Sequence, residues 1–232
     1  MMSRYTLALA AAAFVALTGC DVGSRIPGVG GSENAARLRI VNASGVAVDL
    51  TSNGQIVGGS GHVNAGATSS CITLDPATTT TVGLRLAGAV SDMGGFTGPL
   101  TANVAYPVVV FTSDAGTTNA LTLTDEFTPT SGLAGFRIVD VAPGLGTLDV
   151  YVTPHSGPLG VPSTASIGYG GNTGFFDVNP GPSQVRFTVA TTQTLVFDAG
   201  SVSLVASGRS TMVLAQPGGT DATPVATLVS GC

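Results

Sequence analysis

Arg137-Ile-Val-Asp-Val-Ala-Pro143, followed by Leu148-Asp-Val-Tyr-Val152, reads as two β-strands separated by a turn. Both segments give strand signals, and earlier in the chain Arg37-Leu-Arg-Ile40 alternates polar with apolar positions as a strand with one buried face does. The same pair occurs earlier in the chain. Arg39-Ile-Val-Asn42 matches Arg137-Ile-Val-Asp140 at an offset of 98, and Val48-Asp-Leu50 matches Leu148-Asp-Val150 at an offset of 100. Leu74-Asp-Pro76 then matches Val178-Asn-Pro180, and Val108-Val-Val110 matches Met212-Val-Leu214, both at 104. Order is kept, and the drift needs only short loop insertions. Two tandem modules follow, at 36–128 and 134–232, joined by a turn-rich link around Pro129 to Gly132. Turn residues punctuate strand signals throughout, and no stretch beyond the first twenty residues holds a helical period. The expected fold is all-β, with two tandem immunoglobulin-like β-sandwiches.

Composition agrees. Charged residues are 9% of the chain, against roughly 25% in ordinary soluble domains. Lysine is absent, so the eight cationic residues are all arginine, set against 13 acidic ones. That balance argues against a nucleic-acid partner, which needs a basic face. Gly and Pro number 33 and 13, below the level of a low-complexity chain, and apolar content is too high for disorder. Such a chain solvates its surface with hydroxyls and amides.

The first nineteen residues read as an export signal: a cationic start at Arg4, then an apolar run from Thr6 to Leu17. The run is shorter than the roughly 20 residues of a membrane-spanning helix. Leu17-Thr-Gly-Cys20 resembles the lipobox of bacterial lipoproteins, which implies that Cys20 is acylated and becomes the first mature residue. Several acyl chains, each buried methylene worth about 0.8 kcal/mol, make a lasting membrane anchor. Asp21 resembles an inner-membrane retention signal of enteric bacteria, a position other bacteria read differently, so both membranes stay open. Residues 21–35 then read as a flexible tether.

With Cys20 lipidated, Cys71 and Cys232 are the remaining thiols, in a compartment where disulfides persist. They are expected to bridge, tying Cys232 back to the first module. On the chain-entropy model the bridge contributes at most about 4–5 kcal/mol.

The second module resembles domain-of-unknown-function family 4397, whose pattern is Arg-Val-Val-His-Ala-Ser-Pro followed by an aspartate within Val-Asp-Val-Tyr-Val. Val178-Asn-Pro-Gly181 and Leu204 to Gly208 fit as well, and the first module carries a fainter version. The family histidine is replaced by Asn42 and Asp140. The resemblance implies a β-sandwich, tandem occurrence and a bacterial envelope location; it implies no chemistry.

Chemistry-bearing residues are few. His62 lies in Gly59-Ser-Gly-His62 and His155 in Pro154-His-Ser-Gly157, both loops by composition. Ser60 sits in no nucleophile elbow, so no serine triad can be assembled from sequence. The cysteines lack zinc-ligand spacing, and Asp125-Glu126, the one adjacent acidic pair, is no calcium loop. Glycines 168–174 lack the dinucleotide fingerprint. No catalytic, metal or cofactor residue is assigned. Asp49 and Asp149 are expected as solvent-facing or edge-capping carboxylates, paired with Arg39 and Arg137 on the neighbouring strand. The expected role is non-catalytic binding, scaffolding or adhesion toward an envelope protein or glycan. The alternative is an envelope hydrolase acting on glycan or peptide, which would place a histidine beside a carboxylate in a cleft.

Overall fold

The computed structural model describes residues 34–57 and 62–232, and the signal, Cys20 and most of the tether lie outside them. Every regular element among the described residues is a strand. In the first half, β1 (Ala36–Ala43), β4 (Ile72–Leu74), β7 (Ala105–Thr112) and β8 (Thr118–Thr122) make one sheet in the order β4-β1-β7-β8. A second sheet, β3-β2-β5-β6, is built from β2 (Val48–Ser52), β3 (Gln55–Val57), β5 (Thr81–Leu86) and β6 (Gly94–Thr97). Asn53-Gly54, both at positive φ, closes the two-residue hairpin between β2 and β3, the turn that matches strand twist.

The second half repeats this arrangement. β9 (Ala134–Val141), β12 (Phe176–Val178), β15 (Arg209–Ala215) and β16 (Val225–Ser230) form the sheet β12-β9-β15-β16. β10 (Leu148–Pro154), β11 (Thr164–Ile167), β13 (Gly181–Val189) and β14 (Leu195–Leu204) form β11-β10-β13-β14. Subtracting eight from each label gives the first module's order. Pairing sense repeats too: β1–β7 and β9–β15 are parallel, and the other strand pairs are antiparallel. Each pair of sheets encloses its own core. Leu38, Ile40, Val48, Leu50, Leu84 and Val108 meet in the first, and Phe136, Ile138, Leu148, Val150, Phe187 and Met212 in the second. Both halves are β-sandwiches, with a strand order of their own.

A third core lies between the sandwiches. Val41 and Ala43 of β1, Val109 and Phe111 of β7, and Leu123 pack against Val139 and Val141 of β9, Val213 and Ala215 of β15, and Val229. The contributing positions correspond: Val41 to Val139, Val109 to Val213, and Leu123 to Val229. Equivalent faces therefore meet around a pseudo-two-fold axis, as in an isologous dimer fused into one chain. The consequence is legible in burial. All eight residues of β9 are buried, and so are seven of the eight in β7, because both faces of each strand are covered.

The Pro129–Gly132 region is a turn, but the connection does not swing freely. Leu123 sits in the shared core, and Asp125 is 4% exposed. Cys71 and Cys232 are disulfide-bonded, with Cα atoms 5.8 Å apart across 161 positions of sequence. The bond joins the start of β4 to the segment after β16, so it staples the two facing sheets at one margin.

Val109 and Val213 are 0% and 1% exposed at equivalent points of the shared core. Truncating either to alanine is expected to cost about 1–3 kcal/mol in denaturant unfolding. Val90→Ala, at a site 91% exposed, should stay within about 0.5 kcal/mol of wild type. A solvated interface would make all three substitutions alike.

Candidate functional site

Strand parity decides where the repeated aspartates point. Val48 and Leu50 enter the first core, so Asp49 between them lies on the outer face of its sheet, and Asp149 does likewise on β10. Arg39 and Arg137, at odd positions of β1 and β9, point into the space between the modules. The expected Arg39–Asp49 and Arg137–Asp149 pairs do not form, because the residues stand on different sheets and face different ways. Loops nevertheless cover both carboxylates, and each aspartate is only 4% exposed.

In the second module the carboxylate is saturated by backbone. Asp149 accepts from Ser166 N (2.9 Å) on one oxygen and from Thr191 N (2.8 Å) on the other. Ser166 and Thr191 both hold left-handed φ, near 60°. Charge-assisted hydrogen bonds offset the cost of that conformation.

The first module departs from this at the same place. Two residues separate the register points Thr164 and Ile167 opposite β10, whereas five separate the equivalent Val57 and Val63 opposite β2. The longer loop ends on His62, which occupies the position of Ser166. The imidazole Nδ1 of His62 lies 2.7 Å from Asp49 Oδ1, replacing a backbone N–H. Gly88, with φ of 80°, stands where Thr191 stands, but it makes no bond to Asp49. Asp49 Oδ2 is therefore buried without a partner among the described residues.

His62 itself is half-exposed, at 51% of its side chain. In the neutral ring, a carboxylate accepting from Nδ1 keeps the proton there and leaves Nε2 as a lone-pair acceptor. Beside it lies a cavity of about 250 Å³ whose polar lining is Asp49, His62, Asn64, Thr68, Ser69 and Ser70. This is an oriented base on the rim of a small cleft that apolar side chains, among them Ile40, Val57 and Ile72, line as well. It is not a completed serine triad: the Ser69 hydroxyl accepts from Ile40 N and donates to the Ser70 carbonyl. His155, by contrast, is exposed in the turn after β10. Sequence composition identified both histidines as loop residues. It could not show that one of them meets Asp49, because that contact depends on the loop length between β3 and Val63.

The other candidate acids are spoken for. Asp125 is buried against Arg137 (2.6 Å), whose guanidinium also bonds Thr211 Oγ1 and the Thr124 carbonyl and stacks 4.2 Å from the Phe175 ring centre. Burial raises the Asp125 pKa and lowers that of Arg137, and their mutual attraction pulls both back. Glu126 is exposed. Glycines 168–174 form a loop whose Gly170 and Gly171 pair with the Asp140 backbone. Among the described residues no group of three or more His, Cys, Asp or Glu is placed to hold a metal ion.

Asn42 and Asp140, at the position of the family histidine, fix the turn that follows their strands. Asn42 Oδ1 accepts from Ser44 N, and Asp140 Oδ1 accepts from the equivalent Ala142 N. The other atom separates them. Asn42 Nδ2 donates to the carbonyls of Val46 and Val63, whereas Asp140 Oδ2 is buried without a partner among the described residues. Burial pushes the Asp140 carboxyl up to about 6, against an ordinary 3.8, with the Ala142 bond pulling the other way.

The chain matches the family described as "Domain of unknown function (DUF4397)" over residues 36–151, half its length, and it belongs to that family. The match spans the first module, β9 and the start of β10. No curated protein matches the chain. Among solved structures, the C-terminal domain of AlgF from P. aeruginosa is similar at 14% identity with a TM-score of 0.30. That match covers 43% of this chain and 99% of that one, and a likeness so slight carries no argument.

Asp140→Asn is expected to stabilise the protein at neutral pH. The aspartate's folded-state pKa is raised, so its contribution is fullest below the ordinary value and is lost as pH climbs toward 6. An amide does not titrate. The gain should thus be near zero below pH 4, open between pH 4 and 6, and level off at roughly 2–3 kcal/mol above. A gain independent of pH, measured by denaturant unfolding, would rule out the buried charge as its cause.

Proposed function

We propose that this protein is an exported lipoprotein, held to a membrane of the bacterial envelope through lipid on Cys20. In this reading the paired sandwiches form a rigid head that binds an envelope protein or glycan without catalysis. The lipobox and signal support the anchor, and family membership is compatible with it. The observation that carries the binding reading is the contrast between modules. One buried aspartate is closed by backbone amides, and its twin instead orients a half-exposed histidine at a cleft of mixed polar and apolar lining. A side chain with a free acceptor beside hydroxyls and an amide suits a ligand rich in hydrogen-bond donors.

One observation favours the hydrolase reading, the same His62 held by a buried carboxylate. A base so oriented could activate water or a substrate hydroxyl. Hydrolysis of envelope glycan or peptide by the purified protein, abolished in His62→Gln, would establish it over binding alone.

The anchor is tested by mass spectrometry of the mature N-terminus. Acyl mass on Cys20 is expected, with Cys20→Ala blocking processing or releasing the protein from membranes; an unmodified N-terminus cleaved elsewhere would refute it. The cleft is tested by NMR of the two histidine rings, the only two in the sequence. Titration with soluble fragments of envelope glycan should move the His62 resonances and leave those of His155 in place. If both stay fixed, or both move together, the glycan-binding reading fails.

A further inference from the structure

Arg39 and Arg137 hold equivalent places on β1 and β9, and each reaches across to the other module. Arg137 Nη1 donates to the Thr124 carbonyl (2.9 Å), and Arg39 Nη1 donates to the corresponding Ser230 carbonyl (2.5 Å). Beyond that bond their direct partners differ in charge, and the Asp125 carboxylate, held by Arg137, lines one small cavity with Arg39 and Cys232. Register places Gly231 where Arg137 has Asp125, and Cys71 where it has Phe175. Arg137 Nη2 therefore meets a carboxylate at 2.6 Å, whereas Arg39 Nη2 meets Cys71 Sγ at 2.9 Å. Arg39 makes no ion pair among the described residues, and its Nε is buried without a partner there.

A disulfide sulfur is a weak acceptor for a guanidinium, but a thiolate is a strong one. We infer that the Cys71–Cys232 bond is a thiol-exchange site, in which Cys232 takes the adduct and Arg39 stabilises Cys71 as the leaving thiolate. An external thiolate, from a small thiol or a reduced protein cysteine, attacks Cys232 Sγ. A new S–S bond forms there, the Cys71–Cys232 bond breaks, and its electron pair departs on Cys71 Sγ beside Arg39. A second thiolate attacks the outer sulfur of the mixed disulfide, releasing the oxidised external disulfide and Cys232 thiolate, which takes a proton from water. Exchange is faster when the leaving thiol is more acidic, and a cation in contact lowers thiol pKa. Cys71 is exposed, so the released thiolate is open to solvent. The head need not come apart on exchange, because the shared core between the sheets does not involve the sulfurs.

The test uses the folded, oxidised protein with glutathione as probe, quenched by alkylation and read by peptide mass mapping. Glutathione is expected on Cys232 and the alkyl label on Cys71. Arg39→Gln should slow bond opening about tenfold, and Arg39→Lys, which keeps the charge, should restore most of the rate. The wild-type mapping needs no variant to fold. Adduct mainly on Cys71, or a bond that opens only after denaturation, would overturn the inference. So would an Arg39→Gln protein, folded by circular dichroism, that opens at the wild-type rate.

Discussion

The structure depends on one contact, the packing of β4-β1-β7-β8 face to face on β12-β9-β15-β16. A single sandwich with this sequence would expose Val41, Val109 and Phe111, or Val139, Val141 and Val213, on its flank. Apolar flanks of that kind are costly in water, at about 25 cal/mol per Å² of apolar surface. Covering each flank with its own duplicate removes the cost and gives a head of four stacked sheets with three apolar layers. Backbone pairing within β1, β7, β9 and β15 is thereby sealed on both sides, and the disulfide and the Arg137–Asp125 pair both close the seam, with Asp125 and Cys232 lining one small cavity there.

Duplication sets the frame, and the departures from it mark where the two halves acquired different properties. Asp149 closes its loops with backbone amides, and Asp49 orients His62. Asn42 satisfies its turn, and Asp140 leaves an oxygen without a partner among the described residues. Arg137 is neutralised by Asp125, and Arg39 faces sulfur. Each contrast keeps the strand position and changes the residues around it, so each module serves as a reference for reading the other. The interior tolerates the differences because they sit at strand ends and seam margins, clear of the apolar layers.

Much of this was legible in the sequence. The period-two strands, the near-constant offsets and the pair of cysteines left beside Cys20 pointed to an all-β duplicate with a Cys71–Cys232 bridge, and the structure has those features. The shared core was missed because Arg39 and Arg137 look like solvent-facing residues of half-buried strands. Arg137 is instead buried and held by Asp125 and an aromatic ring. A signal was present in the unbroken apolar runs Val108-Val-Val-Phe111 and Met212-Val-Leu-Ala215, which suit strands covered on both faces. The Asp49–His62 contact had no such signal. It depends on which residue the spacing between Val57 and Val63 sets opposite Asp49, and neither composition nor periodicity fixes that.

The face-to-face packing is tested most directly by native-state hydrogen exchange across a denaturant series, with the disulfide reduced and alkylated so that no covalent staple couples the modules. The chain has no tryptophan, so residue-resolved exchange is also the more informative probe. Amides of Val109 in β7 and of Val139 and Val213 in the second module should converge on one unfolding isotherm, because the layer they share opens only when both sandwiches do. Two separate isotherms, one for each module, would contradict the account.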